Sequence, residues 1–452
     1  MRQTVAPPVP RHCHDLTAAW LTSALRSTGV IARGTRVRRC AQHAIVTVSV
    51  TGQAREDGGG LSGPQLVRLQ LTYEGGAGPP QMVAKFGDWG DKQHMPAWPW
   101  QIRLIQVVGY LRLEEQFRRE VRFYQHVHPH LQGLRLPKVY YAAMTDAPLV
   151  SAWSYVLWDA RTPVRFCVLM EDLAVDHFAA VPLGASLSFP RAKQALRNIA
   201  QLHAFGWQQA RLWTQLHLRP TPWLTFLRAD EGLQRRQRDK FVRTNFIPTF
   251  LRRWAQPPCP AAPAPKGTRL QEPAMVAMLT ALNASFGTWA KDAAQTARLA
   301  PQTIVHGDFH GGNHLFNAHD ACRVIDFQFF GTGRVADEVA YFFTMSVEPA
   351  PAMEEELLHL YHHALVEAGV HGYPYGQFLH EYRVATLTLL LGHLVRATTF
   401  LKPPAHTKLT QNRKQAELLH VGDLSRTRLM QRAASWRHTP ALRHTFFSVD
   451  RW

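Results

Sequence analysis

The sequence predicts an α+β protein in which a small antiparallel β-sheet is followed by a larger, mostly helical part. Between residues 35 and 86, stretches rich in β-branched and apolar residues alternate with glycine-containing turns, which is typical of a strand meander. The predicted strands cover residues 45–50, 66–73 and 81–86. Beyond residue 173, apolar residues recur at the helical spacing, as in residues 191–205. A length of 452 residues accommodates one large two-lobed domain or two to three ordinary ones.

The composition is that of a globular protein with a sizeable core, since 46% of the residues are hydrophobic and 19% are charged. The net charge of +18 is high, but lysine and arginine are scattered along the chain. A nucleic-acid-binding protein would concentrate them in a basic stripe, so we expect no nucleic-acid partner. The five cysteines are odd in number and lack Cys-x-x-Cys spacing. This pattern predicts no disulfide framework and fits a reducing compartment.

The hydropathy pattern predicts a cytoplasmic protein without a membrane span. The longest apolar run, near residues 384–395, is too short to cross a bilayer. The N-terminus lacks the apolar core of a signal peptide. The sequence makes no prediction of an oligomeric state.

The chain divides where its composition changes. Residues 1–14 are rich in proline and predict a flexible N-terminus. Residues 15–26 predict an amphipathic helix that Asp15 caps. The predicted strands lie within residues 15–172, and residues 173–452 form the helical part, with further helices expected at residues 353–368 and 377–400.

Two acidic residues and one amide lie at spacings that phosphoryl transfer requires. Asp308 and Asn313 are five residues apart in the segment His-Gly-Asp-Phe-His-Gly-Gly-Asn, the interval of a kinase catalytic loop. A carboxylate at Asp308 can accept the proton of an attacking hydroxyl, and the amide oxygen of Asn313 suits Mg²⁺. Asp326 follows thirteen residues later, and an expected hairpin over residues 314–327 returns it beside Asn313. The alternative is an ordinary hairpin with two surface acids.

This motif resembles those of the kinase-like phosphotransferases that act on small molecules, which include aminoglycoside phosphotransferases, choline kinases and the ecdysteroid kinase-like group. Residues 305–313 and the segment Ile-Asp-Phe-Gln at 325–328 carry the resemblance. The Asp-Phe-Gln variant and the residues that follow it, 331–337 and 340–343, are most similar to the ecdysteroid kinase-like branch. The resemblance implies a bilobal protein-kinase-like fold, with a small sheet and one main helix in the N-lobe and a mostly helical C-lobe.

The resemblance also implies roles for residues before the motif. Lys85, on the third predicted strand, would reach the phosphates of ATP and pair with a glutamate on the next helix. Glu120 is the favoured partner because it precedes an aromatic–tyrosine pair, and Glu114 and Glu115 stay open as alternatives. An exposed lysine on a strand is the ordinary explanation of Lys85. After the motif, Asp337 is expected to hold the backbone of the catalytic loop.

Two further segments are expected to contact the nucleotide. Backbone groups at Glu171 and Leu173 would bind adenine if the lobes are joined there, although a buried strand and a solvated turn would have the same sequence. The first hairpin, placed over residues 39–44, contains no glycine, whereas the family has a glycine-rich phosphate cover there. Gln42 or His43 would contact the nucleotide in its place.

The leading hypothesis is a kinase that uses ATP and Mg²⁺ and transfers the γ-phosphoryl group to a hydroxyl of a small molecule. Asp308 would be the base, and Asn313 and Asp326 would be the metal ligands. Aromatic residues in the helical part fit a steroid-like, hydroxylated-lipid or other alcohol acceptor, and core packing explains them equally well. The alternative is a catalytically silent kinase fold that serves as a binding or scaffold protein, which the glycine-poor hairpin favours. A protein kinase is disfavoured, because His-Gly-Asp stands in place of His-Arg-Asp.

Overall fold

The structure, a computed structural model, describes residues 7–10, 12–45, 47–48, 54–55, 65–89, 115–131, 133–145, 164–218, 220–221, 293, 295–400, 425, 428–429 and 431–432. These residues belong to two compact units. The first contains the described residues up to Ala180 together with His314–Phe330, and the second contains those of Val181–Asn313 and from Gly331 onward. The inclusion of His314–Phe330 in the first unit was not predicted. The division into lobes at residue 172 stays a prediction.

In its described part, the first unit contains helices α1 (Ala18–Ser27) and α2 (residues 115–122), which continues as a π-helical turn at Phe123–Val127. Its first seven strands are β1 (Arg36–Ala44), β2 (Thr47–Val48), β3 (Ala54–Arg55), β4 (Gln65–Glu74), β5 (Gln81–Trp89), β6 (Val139–Met144) and β7 (Val164–Glu171). Five of them form an antiparallel sheet in the order β1-β4-β5-β7-β6, and β2 pairs with β3. A smaller sheet contains β8 (Ala179–Ala180), β10 (His314–Phe316) and β11 (Cys322–Val324).

One face of the five-stranded sheet packs against α1, because alternate residues on each strand point to the same side. Leu21 and Leu25 of α1 are buried in this core. The strand residues buried with them include Leu69, Leu71, Met82, Ala84, Phe86, Tyr141, Cys167 and Leu169. The core of the first unit therefore lies between α1 and the sheet, and alternate residues such as Lys85 point to the other face.

Helix α1 begins at Ala18, three residues after the predicted start. Thr17 rather than Asp15 is its cap, since the Thr17 hydroxyl accepts a hydrogen bond from the Trp20 N–H at 3.1 Å. The Asp15 carboxylate instead accepts from the His12 N–H at 3.0 Å, within a 3₁₀ turn. The Trp20 indole donates to the Pro8 carbonyl at 2.6 Å. The Pro8 carbonyl is thus hydrogen-bonded to α1, and the flexibility of residues 1–14 stays a prediction.

The first strand lies earlier than the sequence predicted. Residues 39–44, which were expected to form a glycine-poor hairpin, belong to β1 and pair with β4. A register shift between Val37 and Arg39 interrupts the alternation along β1, and β1 is an edge of the sheet with an exposed Arg38. Both features hid the strand from pattern analysis. The connection from β1 to β4 therefore covers residues 45–64, which contain five glycines. The expectation that the first hairpin has no glycine is wrong, because it placed the hairpin on residues that belong to β1.

The second unit is mostly helical in its described part. Its helices are α3 (Phe189–Phe205), α4 (Ala210–Gln215), α5 (Val335–Ser346), α6 (Pro351–Glu367) and α7 (Tyr375–Phe400), and a helical segment covers residues 295–299. Strands β9 (Thr303–Val305) and β12 (Gly331–Gly333) pair antiparallel. The predicted helices at residues 191–205, 353–368 and 377–400 are confirmed to within two residues at each end. In the described ranges, no helix combines the length and apolar character that a bilayer crossing requires.

The core between α1 and the sheet should carry much of the stability of the first unit. Leu69 is fully buried, so Leu69→Ala removes apolar contacts and leaves a cavity. We expect this change to lower the free energy of unfolding by about 2–5 kcal/mol. Urea denaturation followed by tryptophan fluorescence measures this loss. Val175→Ala is the control, because Val175 is 53% exposed and its change should stay within about 0.5 kcal/mol. Equal effects of the two substitutions would contradict this description of the core.

Candidate active site

The segment that contains Asp308 follows β9 and is held by Glu338 of α5. The Glu338 carboxylate accepts hydrogen bonds from the backbone N–H of His306 at 3.0 Å and of Gly307 at 2.6 Å. Its Oε2 atom also lies 2.9 Å from Nε2 of His203. Gly307 has a φ of +83°, a left-handed conformation that glycine adopts at little cost. One buried carboxylate thus fixes the start of the loop that contains Asp308.

Sequence reasoning assigned this role to Asp337, the residue next to Glu338. In the structure, both carboxylate oxygens of Asp337 accept hydrogen bonds from the Arg334 guanidinium, each at 2.6 Å. Neighbouring residues on a helix point about 100° apart, so their side chains face different surroundings. The resemblance located the correct turn of α5, where Glu338 accepts hydrogen bonds from the backbone of His306 and Gly307. The role of Asp337 in holding the loop stays a prediction. His203, which contacts Glu338, is fully buried.

The Asp308 carboxylate has hydrogen-bond donors at both oxygens. Tyr341 on α5 donates its hydroxyl to Oδ1 at 3.0 Å. On the other side, Oδ2 lies 3.5 Å from Nε2 of His310 and accepts from Nδ2 of Asn313 at 3.3 Å. Asn313 also donates to the Asp308 carbonyl at 2.9 Å. The five-residue spacing thus brings Asp308 and Asn313 into direct contact, while Tyr341 was missed because it is distant in the sequence.

These neighbours determine the ionisation of Asp308. Burial alone would raise the pKa of Asp308, because a charged carboxylate loses its hydration. His310 and His306 oppose this effect by their charge, and Tyr341 opposes it by its hydrogen bond. Together they lower the pKa of Asp308 below its ordinary value. The carboxylate is therefore ionised at neutral pH and can accept a proton.

The orientation of Asn313 leaves its oxygen available. Its Nδ2 atom makes both hydrogen bonds to Asp308. Among the described residues, no hydrogen bond to Oδ1 of Asn313 is found. A neutral amide oxygen is a hard ligand of the kind that Mg²⁺ prefers.

Lys85 forms ion pairs with two carboxylates in the first unit. Its Nζ atom lies 2.8 Å from Oε1 of Glu120 and 2.8 Å from Oδ1 of Asp326. Burial opposes the charge on Lys85, but Asp326 and Glu120 outweigh it and raise the Lys85 pKa above its ordinary value. The pair Lys85–Glu120 proposed from the sequence thus forms, and Glu115 instead pairs with Arg119 at 3.3 Å. Glu114 lies outside the described residues.

Lys85 faces two acidic groups, the carboxylates of Glu120 and Asp326. Burial raises the pKa of Glu120, Asp326 adds to this effect and Lys85 opposes it. Among the described residues, no hydrogen-bond partner of the buried Oε2 atom of Glu120 is found. A half-buried carboxylate such as Asp326 suits a hard divalent cation.

The described residues contain no cluster of three or more His, Cys, Asp or Glu side chains arranged for a metal. An amide and a single carboxylate would not form such a cluster. Mg²⁺ commonly binds through one or two carboxylates and completes its shell with substrate phosphates and water. The chemistry of Asn313 and Asp326 therefore fits Mg²⁺ in a complex with nucleotide.

Asp326 is held in an unusual backbone conformation. Its φ of +69° lies in the left-handed region, which costs free energy for a residue with a side chain and requires support from its surroundings. Phe327 supplies support by stacking on Phe123, with ring centroids 3.5 Å apart. Arg119 of α2 donates to the Phe330 carbonyl at 3.1 Å. These contacts tie α2 to the segment after β11 and fix where the Asp326 carboxylate points.

The hairpin between Asn313 and Asp326 forms as predicted. Strand β10 starts directly after Asn313 and pairs with β11, which ends two residues before Asp326. A turn with Asp320 at a φ of +57° connects the two strands. Asn313 belongs to the second unit and Asp326 to the first. Their predicted meeting at one metal ion stays a prediction.

The other predicted nucleotide contacts are distributed along the sheet. Glu171 ends β7, where its carboxylate accepts from the Lys138 N–H at 3.0 Å, and Leu173 begins a 3₁₀ helix. Gln42 lies on β1 and donates to the Cys13 carbonyl at 2.9 Å, while His43 is exposed. The structure therefore does not gather these four residues into one cluster. Their contacts with a nucleotide stay predictions.

Sequence reasoning missed an ion pair beside Leu173. Arg68 on β4 pairs with the Asp172 carboxylate, with a second contact from Nη2 to Oδ1 at 3.3 Å. Asp172 also accepts from the Ala174 N–H at 3.2 Å and caps the 3₁₀ helix. Arg68 is opposite Val83 in the sheet register, two residues from Lys85 on the same face. Only the register, which the sequence does not give, reveals this proximity.

The sequence profile of the ecdysteroid kinase-like family matches residues 109–371, more than half of the chain. The chain belongs to this family. The resemblance noted from the motifs is thereby confirmed, as is the kinase-like α+β fold class. Membership of the ecdysteroid kinase-like family places the chain among kinase-like small-molecule phosphotransferases.

Several solved structures of phosphotransferases are similar to the chain. The macrolide 2′-phosphotransferase of Brachybacterium faecium is 13% identical, with a TM-score of 0.37, over 89% of this chain and 97% of that one. The Plasmodium vivax ethanolamine kinase is 10% identical, with a TM-score of 0.33, over 85% and 82% of the two chains. An aminoglycoside phosphotransferase of Alicyclobacillus acidocaldarius is 9% identical, with a TM-score of 0.34, over 82% and 90%. No functionally curated protein is significantly similar to this ecdysteroid kinase-like chain.

The assignment of the loop-holding role to Glu338 can be tested by hydrogen exchange. In Glu338→Gln, an amide N–H group replaces one acceptor oxygen, so the side chain can no longer accept from both backbone N–H groups. We expect exchange at the His306 and Gly307 amides to accelerate by about tenfold or more. Mass spectrometry or NMR measures these rates. Asp337→Asn is the matched change on the adjacent residue, and equal acceleration by it would contradict the assignment to Glu338.

Proposed function

We propose that this protein is an ATP- and Mg²⁺-dependent kinase that transfers the γ-phosphoryl group to a hydroxyl of a small molecule. The observation that carries the proposal is the Asp308–Asn313 contact in a loop held by Glu338. An ionised acid and a free amide oxygen are thus fixed side by side. Family membership supports the same chemistry.

Asp308 is the proposed catalytic base. Its ionised carboxylate accepts the proton of the acceptor hydroxyl as the hydroxyl oxygen bonds to the γ-phosphorus. The bond from the γ-phosphorus to the bridging oxygen breaks, and that electron pair leaves with ADP. Tyr341 and His310 hold the two carboxylate oxygens, so the base is oriented before the acceptor arrives. Most of the rate enhancement in such a reaction comes from positioning and charge stabilisation.

Lys85 and Glu120 are the proposed phosphate-positioning pair. The Lys85 ammonium is a compact cation that suits phosphate oxygens, and the buried Glu120 carboxylate fixes where it points. Asn313 and Asp326 are the proposed metal ligands. When bound, Mg²⁺ neutralises charge on the phosphates and orients them.

The remaining nucleotide contacts are assigned to the chain segments that the sequence suggested. Backbone groups at Glu171 and Leu173 bind the adenine ring, and Gln42 and His43 are further candidates.

The acceptor is an alcohol such as a steroid-like molecule or a hydroxylated lipid. The alternative of a catalytically silent binding or scaffold protein rested on a glycine-poor first hairpin, and the position of β1 removes that argument.

The metal–nucleotide assignment predicts that ATP binding depends on Mg²⁺ and on Asp326. We expect Asp326→Ala to weaken Mg·ATP binding by at least about tenfold, because a charged ligand is lost. Calorimetric titration of ATP with and without Mg²⁺ measures this effect. Asp176→Ala, which changes an exposed acid, should leave the affinity unchanged. Absence of ATP binding in folded wild-type protein would instead support the scaffold alternative.

The base assignment predicts that Asp308→Asn loses turnover while it keeps nucleotide affinity. An amide cannot accept the hydroxyl proton, so we expect the rate to fall by at least about 10²-fold. ADP formation over a panel of steroid and lipid alcohols measures the rate, and calorimetry measures the affinity for Mg·ATP. Asp176→Asn serves as the control. Full activity of Asp308→Asn on any acceptor that the wild type phosphorylates would refute the role of Asp308.

A further inference from the structure

A chain of buried side chains connects α6 to the loop that contains Asp308. Glu338, which holds this loop, has a third contact with His203 of α3, whose Nε2 atom lies 2.9 Å from Oε2 of the carboxylate. On the other side of the same ring, Nδ1 of His203 lies 2.6 Å from the hydroxyl of Tyr361 on α6. His203 and Tyr361 are both fully buried. The proposed phosphoryl transfer assigns Tyr361 no role.

The contacts of Glu338 determine which nitrogen of His203 carries a hydrogen. Oε1 of Glu338 accepts from the Gly307 N–H, and Oε2 accepts from the His306 N–H. Donors at both oxygens favour the ionised carboxylate, which can only accept hydrogen bonds. A ring nitrogen in contact with that carboxylate therefore has to donate. Nε2 of His203 thus carries a hydrogen and directs it at Oε2 of Glu338.

The Tyr361 hydroxyl is the donor on the other side of the His203 ring. Burial raises the pKa of Tyr361 well above its ordinary value, and the charge of Glu338 adds to this effect, so the hydroxyl keeps its proton. Within the described residues, the His203 ring is the hydrogen-bond partner found for this hydroxyl. The reverse arrangement, with Nδ1 as the donor, would leave the buried O–H without an acceptor, which is costly. Nδ1 therefore accepts, and the ring is the neutral tautomer with its hydrogen on Nε2.

The surrounding packing holds the His203 ring at this place. The Tyr361 ring meets it edge-on, with centroids 5.8 Å apart, and packs against Phe378 of α7 with centroids 5.2 Å apart. The Thr303 hydroxyl donates to the His203 carbonyl, which ties α3 to β9 just before the Asp308 loop. A phenylalanine at position 361 would keep the ring contacts. The substitution Tyr361→Phe thus removes the hydrogen bond alone.

We propose that Tyr361 is a positioning residue for the Asp308 loop. By donating to Nδ1 of His203, it keeps the Nε2–H directed at Glu338, and Glu338 holds the backbone that precedes Asp308. Without the hydroxyl, the ring can take its other tautomer, in which an unprotonated Nε2 faces the carboxylate and is repelled by it. The effect of Tyr361 on turnover rests on the proposed kinase function, and its effect on the loop does not.

Hydrogen exchange in a double-mutant cycle tests the effect on the loop. We expect Tyr361→Phe to accelerate exchange of the His306 and Gly307 amides by about fivefold, because one buried hydrogen bond is lost. In a protein that already carries Glu338→Gln, Tyr361→Phe should cause no further acceleration, since the contact through which it acts is gone. Mass spectrometry or NMR measures the rates in the full chain.

Tyr382→Phe is the matched control. Tyr382 is also fully buried, and its hydroxyl donates to the buried carboxylate of Glu354 at 2.9 Å. Its loss should leave exchange at the Asp308 loop unchanged.

Turnover tests the second effect. We expect Tyr361→Phe to lower kcat for ADP formation by about fivefold, because Asp308 is less well positioned. The affinity for Mg·ATP should stay as in the wild type, since no proposed nucleotide contact is changed. A general loss of folded protein would lower the active fraction and would not depend on Glu338.

Acceleration by Tyr361→Phe that disappears beside Glu338→Gln, with Tyr382→Phe unchanged, supports the role of Tyr361 in the loop. Unchanged exchange in Tyr361→Phe overturns it, as does equal acceleration by Tyr382→Phe or an undiminished effect beside Glu338→Gln. Accelerated exchange with unchanged kcat in an active enzyme overturns the effect on turnover. If the wild type has no turnover, the kinase proposal fails, and the exchange rates still decide the role in the loop.

A measurement on the wild type decides if a variant does not fold. The ¹⁵N NMR signals of the imidazole ring report which nitrogen carries a hydrogen. A hydrogen on Nε2 of His203 alone supports the proposal. A hydrogen on Nδ1 overturns it, because Tyr361 would then be an acceptor and would not set the tautomer.

Discussion

A buried carboxylate must be paired or hydrogen-bonded, and this requirement organises both units. Glu120 reaches Lys85 in the first unit, and Glu338 reaches the backbone of the Asp308 loop in the second. Glu354 is buried with Arg432 and Tyr382. Removing one partner would leave an uncompensated charge, which is strongly destabilising. The geometry around Asp308 and Asp326 therefore depends on partners that are themselves fixed.

The sequence predicted which residues of the site would lie together, but it did not predict all the contacts that hold them in place. The contact between Asp308 and Asn313 follows from a five-residue spacing, and the hairpin after it follows from strand and turn residues. The pairing of Lys85 with Glu120 required the resemblance to a family, because 35 residues separate them. The resemblance included Tyr341 but assigned it no role, since its contact with Asp308 depends on how α5 packs.

The errors in the sequence analysis have physical causes. Strand β1 was placed too late because a register shift at Val37 and its arginines conceal the alternation that marks a strand. The α1 cap was assigned to Asp15 because aspartate and threonine are both good caps, and tertiary contacts of the N-terminal segment favour Thr17. In both cases long-range packing decided between choices that local preference left nearly equal.

The inclusion of His314–Phe330 in the first unit means that this unit is built from two separate stretches of the chain. During synthesis, Lys85 emerges from the ribosome long before Asp326, and Phe123 long before Phe327. Until the hairpin is made, the Lys85 ammonium lacks the Asp326 carboxylate, and the Phe123 ring lacks Phe327 as its stacking partner. Domains generally fold as units during synthesis. The first unit can therefore be completed only after the hairpin has been made, and the hairpin follows the Asp308 loop of the second unit in the sequence. The unit with the proposed phosphate-positioning pair is thus completed only after the loop with the proposed base has been synthesised.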